Sequence, residues 1–281
     1  MAHQSYNFGG RRQEISREAK FVSNIKLDFI LRSKPSIRYL DDLRDLLYDR
    51  LWSKTAGNCE LYYMYRNLSR VCDFSSQTVS REPCGFTRIL DEDKTAIEKL
   101  GVGYDVTIIP PMMLGAEYVK TAGHYHPMSD CGLPYPEVYE VLEGVAHYLL
   151  QKLEEDRITD VVLVEAKKGD HVVIPPHYGH ITINPSGKEL KMANWVSGRF
   201  ESIYEPIKEK RGGAYFELEN NFVKNENYDN LPELRFVPPI DVPELGLVKG
   251  KPMYDLIKTP KKLEFLNRPD KYADLLGKVL D

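Results

Sequence analysis

The amino-acid sequence predicts an all-β core, shaped as a β-sandwich or barrel, with a helical extension before it and a mixed extension after it. Between residues 104 and 200, short runs of branched and aromatic residues such as Asp105-Val-Thr-Ile-Ile109 alternate with proline and glycine. Many short strands at this spacing are typical of sandwiches and barrels rather than of alternating β-α units. The pattern changes on both sides of this region, and these changes set the limits of the predicted core.

A helix is predicted before the core, over residues 36–56. Its apolar side chains recur three and four positions apart and so share one face. They are Ile37, Leu40, Leu43, Leu47 and Leu51. The aromatic run over residues 59–66 predicts a strand, and residues 91–100 predict a short helix that Gly101 stops.

The region after Tyr204 has a mixed pattern. The proline-rich residues 231–252 are expected to form an extended surface wrap, and residues 269–280, with proline at the first turn, are expected to form a helix. The predicted division is an N-terminal extension with its helix packed on the core, a core, and a C-terminal extension with its helix. These are residues 1–100, 101–204 and 205–281, together one folded unit.

Composition and charge argue against several classes of function. Of 281 residues, 28% are charged and 42% are hydrophobic, which is typical of a soluble globular protein. The net charge of −4 gives no basic surface for nucleic acid or for an anionic membrane. There is no apolar run of the roughly 20 residues that span a bilayer and no apolar core of a signal peptide, so we expect a cytoplasmic protein. The four cysteines form no C-x-x-C pair, which favours free thiols.

Three histidines and one glutamate predict a divalent metal site. In the strand-like run Gly123-His-Tyr-His126, side chains two positions apart project to the same face, so His124 and His126 point together. Glu137 can supply a carboxylate and His180 a third imidazole from later strands, and such donors suit divalent transition metals. A lone histidine on a strand is more often hydrogen-bonded or solvated than a ligand, so the combination carries the prediction.

The spacing of these residues resembles the two motifs of the cupin superfamily, H-x-H-x(n)-E-x6-G and G-x5-P-x4-H-x3-N. The matching positions are His124, His126, Glu137 and Gly144, followed by Gly169, Pro175, His180 and Asn184. The chain departs from the motifs twice, because ten residues separate His126 from Glu137 in place of three or four, and His177 stands where glycine is usual. The resemblance implies a jelly-roll-like β-sandwich with one metal ion.

Three longer segments are similar to the cupin-type glucose-6-phosphate isomerases of archaea and some bacteria. They are Thr-Ile-Ile-Pro-Pro (107–111), Glu-Tyr-Val-Lys-Thr-Ala-Gly-His-Tyr-His-Pro (117–127) and Pro-Glu-Val-Tyr-Glu-Val-Leu-Glu-Gly (136–144). The resemblance implies a metal-dependent enzyme of glycolysis and gluconeogenesis that interconverts glucose 6-phosphate and fructose 6-phosphate. It further implies a homodimer with one divalent ion per subunit, expected to be Fe²⁺ with Mn²⁺, Ni²⁺ or Zn²⁺ as alternatives.

The same resemblance implies roles for individual residues. Glu137 is implied as a catalytic residue as well as a ligand. The implied phosphate-binding residues are Thr107, Thr121, Gly123 and Tyr139, and Tyr204 is a further candidate for substrate contact. Because Thr121 and His124 are three positions apart, they would face opposite ways in a regular strand, and a kink at Gly123 is expected.

Two other functions fit the same ligand set. One is an iron-dependent cupin dioxygenase, because the same ligands can bind an iron ion that activates O₂, and the other is a non-catalytic sugar-binding cupin.

If the protein is an isomerase, two chemical routes stay open. A proton-transfer route needs a base near the two reacting carbons, for which Glu137 is the candidate, and a hydride shift needs none. In either route the metal would polarise the carbonyl as a Lewis acid.

Overall fold

The computed structural model describes residues 35–66 and 87–281, and for residues 87–92 it describes the backbone alone. In chain order the strands are β1 (Ser36–Tyr39), β2 (Glu60–Tyr65), β3 (Val102–Ile109), β4 (Met113–Leu114), β5 (Glu117–Tyr118), β6 (Glu137–Glu143), β7 (Val145–Glu154), β8 (Arg157–Lys167), β9 (His171–Ile174), β10 (Tyr178–Ile183), β11 (Leu190–Ser197), β12 (Tyr215–Glu217), β13 (Phe222–Lys224) and β14 (Leu234–Val237). The α-helices are Leu40–Leu43, Arg50–Thr55, Thr87–Leu100, Glu205–Glu209 and Ala273–Leu276. Short 3-10 helices span Arg44–Leu46, Pro243–Leu245, Met253–Lys258, Pro260–Leu266 and Pro269–Tyr272.

Two sheets packed face to face form the core. One has six strands in the order β1-β2-β3-β11-β6-β9, and the other has four in the order β10-β7-β8-β14, with β14 parallel to β8. Every second side chain of a strand points between the sheets. Tyr148 of β7 is fully buried there, with its ring 5.1 Å from that of Tyr139 on β6 and its hydroxyl 3.5 Å from the Met192 sulfur on β11. The predicted all-β sandwich core is confirmed.

The N-terminal segment joins the larger sheet, and the prediction of one helix over residues 36–56 is wrong. Ser36–Tyr39 is a strand that pairs with β2, and separate short helices follow it. The apolar spacing does mark a buried face, since Leu40, Leu43 and Leu47 have no exposed surface, but Leu51 is 80% exposed. Hydrogen bonds to the edge of β2 outweigh the helix propensity of the first four residues.

The other elements follow their sequence signals to different degrees. The strand predicted over residues 59–66 is β2, and the helix predicted over 91–100 is Thr87–Leu100, ending at Gly101 with a left-handed φ of 64°. The C-terminal helix predicted over 269–280 is wrong, because only Ala273–Leu276 is α-helical and a 3-10 turn precedes it. This segment is held by packing of its apolar side chains, such as fully buried Leu276, rather than by a long run of helical hydrogen bonds.

The C-terminal 3-10 helices cover the outer face of the six-stranded sheet. Trp195 of β11 is fully buried and donates its indole N–H to the Met253 carbonyl at 3.0 Å. The Tyr104 ring of β3 lies 4.8 Å from both the Trp195 ring and the Tyr254 ring. This aromatic layer covers the outer face of the six-stranded sheet, and the opposite, inner face lines a cavity.

Glu140 of β6 points into this outer layer and predicts a pH-dependent stability. Its side chain is 5% exposed and accepts a hydrogen bond from the Met253 N–H at 2.7 Å. Burial raises the pKa of Glu140 from 4.5 to about 7. A carboxyl group whose pKa is higher in the folded state holds its proton there, so stability falls as pH rises from 4.5 to 7 and stays lower above pH 7.

We therefore expect Glu140→Gln to remove that part of the pH dependence. A pKa that rises from 4.5 to about 7 on folding lowers the free energy of unfolding above pH 7 by on the order of 3 kcal/mol. The neutral amide of glutamine does not ionise, so the variant does not undergo this decrease. Urea unfolding at pH 5 and pH 8 measures it: the variant should match the wild type at pH 5 and exceed it at pH 8. An equal difference between the two proteins at both pH values would contradict the prediction.

The three segments of the predicted division share one sheet system, since β1 and β2 extend the sheet of the core and β14 extends the other. The division at residues 100 and 204, and the folding of all three segments as one unit, stay predictions. Within the ranges that the structure describes, no helix is long and apolar enough to cross a membrane.

Candidate metal centre

A cavity of about 430 Å³ opens between the two sheets, on the inner face of the six-stranded sheet. Strands β2, β3, β6 and β11 supply one wall, β10 supplies another, and the segment that includes residues 121–126 closes a third side. The lining includes every site residue predicted from the sequence. These are Thr107, Thr121, Gly123, His124, His126, Glu137, Tyr139, His180 and Tyr204.

The His124–His126 segment is fixed in place by backbone hydrogen bonds to β10. The His180 N–H donates to the His124 carbonyl at 3.0 Å, and the His124 N–H donates to the His180 carbonyl at 3.3 Å. Gly123 precedes them with a φ of 76°, and a Cβ atom there would lie 2.4 Å from Cγ1 of Ile181. This left-handed turn is the kink expected at Gly123, and it brings both Thr121 and His124 to the cavity.

Four donor atoms converge at the inner end of the cavity. One atom from each of His124, His126, Glu137 and His180 lies within 4.8 Å of all the others. The Glu137 Oε2 atom lies 3.3 Å from Nε2 of His126 and 3.2 Å from Nε2 of His180. Glu137 and His180 are 3% and 2% exposed, so water competes little for these atoms.

The orientation of the donors fits a cation. The His126 Nδ1 atom lies 2.8 Å from the Tyr135 carbonyl oxygen. Because a carbonyl accepts, Nδ1 carries a hydrogen, and this contact turns Nε2 toward the cluster. Nε2 of His126 lies 3.2 Å from Nε2 of His124. Oε2 of Glu137 is buried without a hydrogen-bond donor in the described part of the chain. Imidazole nitrogens and a carboxylate oxygen that converge in this way suit a divalent metal.

Burial of the histidines, together with the contacts of Glu137, sets the protonation of these ligands in the direction that metal binding needs. It lowers the pKa of His124 well below its ordinary value and also lowers that of His180, so both rings are neutral near pH 7. Burial alone would raise the pKa of Glu137, but the close contacts with His126 and His180 hold it below its ordinary range. A neutral imidazole and an ionised carboxylate are the forms that bind a metal.

The candidate phosphate-binding residues divide between two parts of the cavity. The Thr121 hydroxyl accepts a hydrogen bond from the Thr182 N–H at 3.0 Å, which leaves its own hydrogen for a ligand. The Tyr139 hydroxyl instead lies 3.1 Å from Nε2 of His180, beside the metal centre. The Tyr204 ring lies 5.4 Å from the His124 ring. The roles of these residues in binding substrate stay predictions.

Several cavity residues were missed by reasoning from the sequence. Asn194 of β11 donates from Nδ2 to Oε1 of Glu137 at 2.6 Å and so orients that carboxylate. Its register partners are Tyr139 on β6 and Asp105 on β3. A polar residue in the middle of the apolar run Leu190–Ser197 was the available signal, but only the strand order reveals what it faces. Arg38 and Arg66 were missed for the same reason.

His177 lies outside this cavity. It has a left-handed φ of 72° in the turn between β9 and β10. Glycine adopts that conformation without steric cost, which explains why glycine is usual at this motif position.

Comparisons with known proteins place this site within a matched region. A family model described as "Glucose-6-phosphate isomerase (GPI)" matches residues 75–233, more than half of the chain. The glucose-6-phosphate isomerase of Thermococcus litoralis is 28% identical over 171 residues, which are 58% of this chain and 72% of that protein. The enzyme of the same name from Thermococcus gammatolerans is 25% identical over 154 residues, which are 52% of this chain and 76% of that one.

Among solved structures, an oxalate decarboxylase mutant from Bacillus subtilis overlays with a TM-score of 0.32 and 12% identity, covering 52% of this chain and 28% of that one. An overlay this remote supports no conclusion about function. The four clustered residues lie inside the segment matched by the family model, whereas Arg38 and Arg66 lie before it.

Proposed function

The chain belongs to the glucose-6-phosphate isomerase family, and we propose that it is a metal-dependent isomerase that interconverts glucose 6-phosphate and fructose 6-phosphate in the cavity between the sheets. The observation that carries the metal dependence is the convergence of one donor atom from each of His124, His126, Glu137 and His180 within 4.8 Å of one another. Three imidazoles and one carboxylate, with Glu137 and His180 almost fully buried, form a donor set that divalent transition metals bind.

The proposed metal ligands are His124, His126, Glu137 and His180, with Fe²⁺ as the expected ion. When bound, the ion would act as a Lewis acid that polarises the substrate carbonyl. The Tyr135 carbonyl and the Asn194 amide orient two of these ligands through hydrogen bonds of 2.8 and 2.6 Å. Fixing the ligands in this way lowers the reorganisation needed when the ion binds.

We propose that Glu137 also moves the proton between the two reacting carbons. Its low pKa keeps it ionised at neutral pH. The Asn194 amide donates to Oε1, so Oε2 serves both as metal ligand and as proton acceptor, or as one at the expense of the other. In this route the carboxylate accepts the proton from C2 of glucose 6-phosphate and returns it to C1, while the hydroxyl proton moves from O2 to O1, so that the carbonyl passes from C1 to C2.

The phosphate group is proposed to lie against the segment of Thr121 and Gly123, with Thr107 opposite. These residues offer hydroxyl and backbone N–H donors, which bind phosphate oxygens well. Tyr139, which the resemblance implies as a phosphate-binding residue, is instead proposed to contact the sugar nearer the metal, because its hydroxyl lies beside His180. Tyr204 is proposed to contact the sugar on the side of His124. A cytoplasmic location and a homodimer, as expected from the sequence, are also part of this proposal.

A coupled assay tests the proposal. Fructose 6-phosphate is supplied, and the glucose 6-phosphate formed is oxidised by excess glucose-6-phosphate dehydrogenase while NADPH is followed by absorbance. We expect turnover that EDTA abolishes and that added Fe²⁺ or Mn²⁺ restores. A control with glucose 6-phosphate supplied directly checks that EDTA does not inhibit the coupling enzyme. Absence of turnover in the metal-loaded protein would overturn the proposal.

A further inference from the structure

Two arginines reach the cavity from strands that precede the matched family segment. Arg38 lies on β1 and Arg66 directly follows β2, and both line the cavity. The family match begins at residue 75. This part of the wall is therefore a feature of this chain that the family match does not cover.

The geometry of the strands directs the side chains of Arg38 and Arg66 into the cavity. Residues two apart on a strand share a face, so Tyr62, Met64 and Arg66 point the same way, and all three line the cavity. In the β1–β2 register Arg38 is the partner of Tyr62, whose hydroxyl accepts a hydrogen bond from the Ala122 N–H at 3.4 Å. Arg38 thus lies on the side of the cavity where the Thr121–Gly123 segment passes.

Neither guanidinium forms an ion pair with any residue that the structure describes. Arg66 donates from Nη2 to the Met64 sulfur at 3.8 Å, and a thioether is a weak acceptor. By contrast, Arg235 forms an ion pair with Asp160 at 2.7 Å, and Arg268 forms one with Asp270 at 2.7 Å. A guanidinium has five N–H donors in a planar fork that matches phosphate oxygens. Two such groups in one cavity fit an anionic ligand.

We propose that Arg38 and Arg66 bind the phosphate group of the substrate and so make the enzyme selective for phosphorylated sugars. The inference rests on the proposed function for the identity of the substrate. The hydroxyl and N–H donors of Thr107, Thr121 and Gly123 are neutral, and the cavity wall also carries the carboxyl groups of Asp105 and Glu201. The two guanidinium groups supply the positive charge that a phosphate dianion needs there.

Binding experiments on the metal-loaded protein test this proposal without requiring turnover. Isothermal titration with inorganic phosphate and with glucose 6-phosphate compares the wild type with Arg38→Gln, Arg66→Gln and the double variant. We expect the Kd for glucose 6-phosphate to rise about tenfold for each arginine removed, because a charge-assisted hydrogen bond typically contributes that much. Arg157→Gln is the matched control, since its side chain is 78% exposed on the opposite sheet, and its Kd should equal that of the wild type.

Thermal unfolding and the isomerase assay distinguish a lost phosphate site from a folding defect and from a wrong assignment of the reaction. Thermal unfolding of the ligand-free variants should be unchanged, which shows that a weaker Kd is not a folding defect. Wild-type Kd values in both single variants and in the double variant would overturn the proposal. If the protein has no isomerase activity but the arginine variants lose phosphate binding, the proposed reaction fails while the phosphate site stands.

Discussion

Glu137→Gln is expected to lower kcat by about a thousandfold, the range typical for removal of a general base. The amide has the same shape as the carboxylate, and its oxygen can still accept the 2.6 Å hydrogen bond from Asn194. Its NH₂ group then faces His126 and His180 in place of Oε2. The variant therefore has no negative ligand and no proton acceptor at this position, while three imidazoles remain to bind metal.

The loss of the negative ligand and the loss of the proton acceptor can be told apart. We would measure kcat at saturating metal and determine the metal content of the same samples. We expect metal content to fall less than kcat does. Glu143→Gln is the control, since Glu143 is on the same strand but exposed, in an ion pair with Lys191 at 2.9 Å. Its kcat should stay at the wild-type value, and its free energy of unfolding should change by less than about 0.5 kcal/mol.

The isotope content of the product tests the proton-transfer route itself. In D₂O, a proton that passes through the Glu137 carboxylate can exchange, so deuterium enters the product during wild-type turnover. A hydride shift carries the hydrogen directly between the carbons and incorporates no deuterium. A Glu137→Gln variant with near-wild-type kcat, together with deuterium-free product, would be incompatible with Glu137 as the base.

The sequence predicted the core of the fold because its strands carry their own local signal. The alternation and the turn residues between residues 104 and 200 do not depend on what each strand pairs with. The failure at residues 36–56 has the opposite cause. Leu40, Leu43 and Leu47 are buried as their spacing suggests, but the strand at Ser36–Tyr39 exists through its pairing with β2, a partner more than twenty residues away.

The same distinction applies to the candidate site. His124 and His126 could be placed together because their separation of two positions fixes a shared face. Asn194 faces Glu137, and Arg66 faces the same cavity, because β11 lies between β3 and β6 and β2 lies next to β3. Strand order is a property of the folded chain that a single sequence does not encode in any local pattern. Residues contributed through strand order are therefore the ones that were missed.

His126→Ala is expected to remove metal and activity together. The substitution removes the Nε2 donor that faces Glu137 and His124, and it leaves the Tyr135 carbonyl without its 2.8 Å hydrogen bond. His126 also packs against Phe200, with ring centroids 4.5 Å apart. We expect a destabilisation on the order of 1–3 kcal/mol from the unpaired carbonyl and lost packing, which a folded domain of this size tolerates.

Metal content per subunit after gel filtration, read by atomic emission, should fall from about one to near zero, because alanine supplies no donor atom and leaves a void where the imidazole ring was. The turnover rate should fall in proportion. His177→Ala is the matched control, because this histidine lies in the β9–β10 turn outside the cavity, and it should keep both metal and activity. The two substitutions at the centre then give different signatures: His126→Ala loses activity because it loses metal, whereas Glu137→Gln loses activity while much of its metal remains. Equal metal content in His126→Ala and the wild type would mean that the ligand set is assigned wrongly.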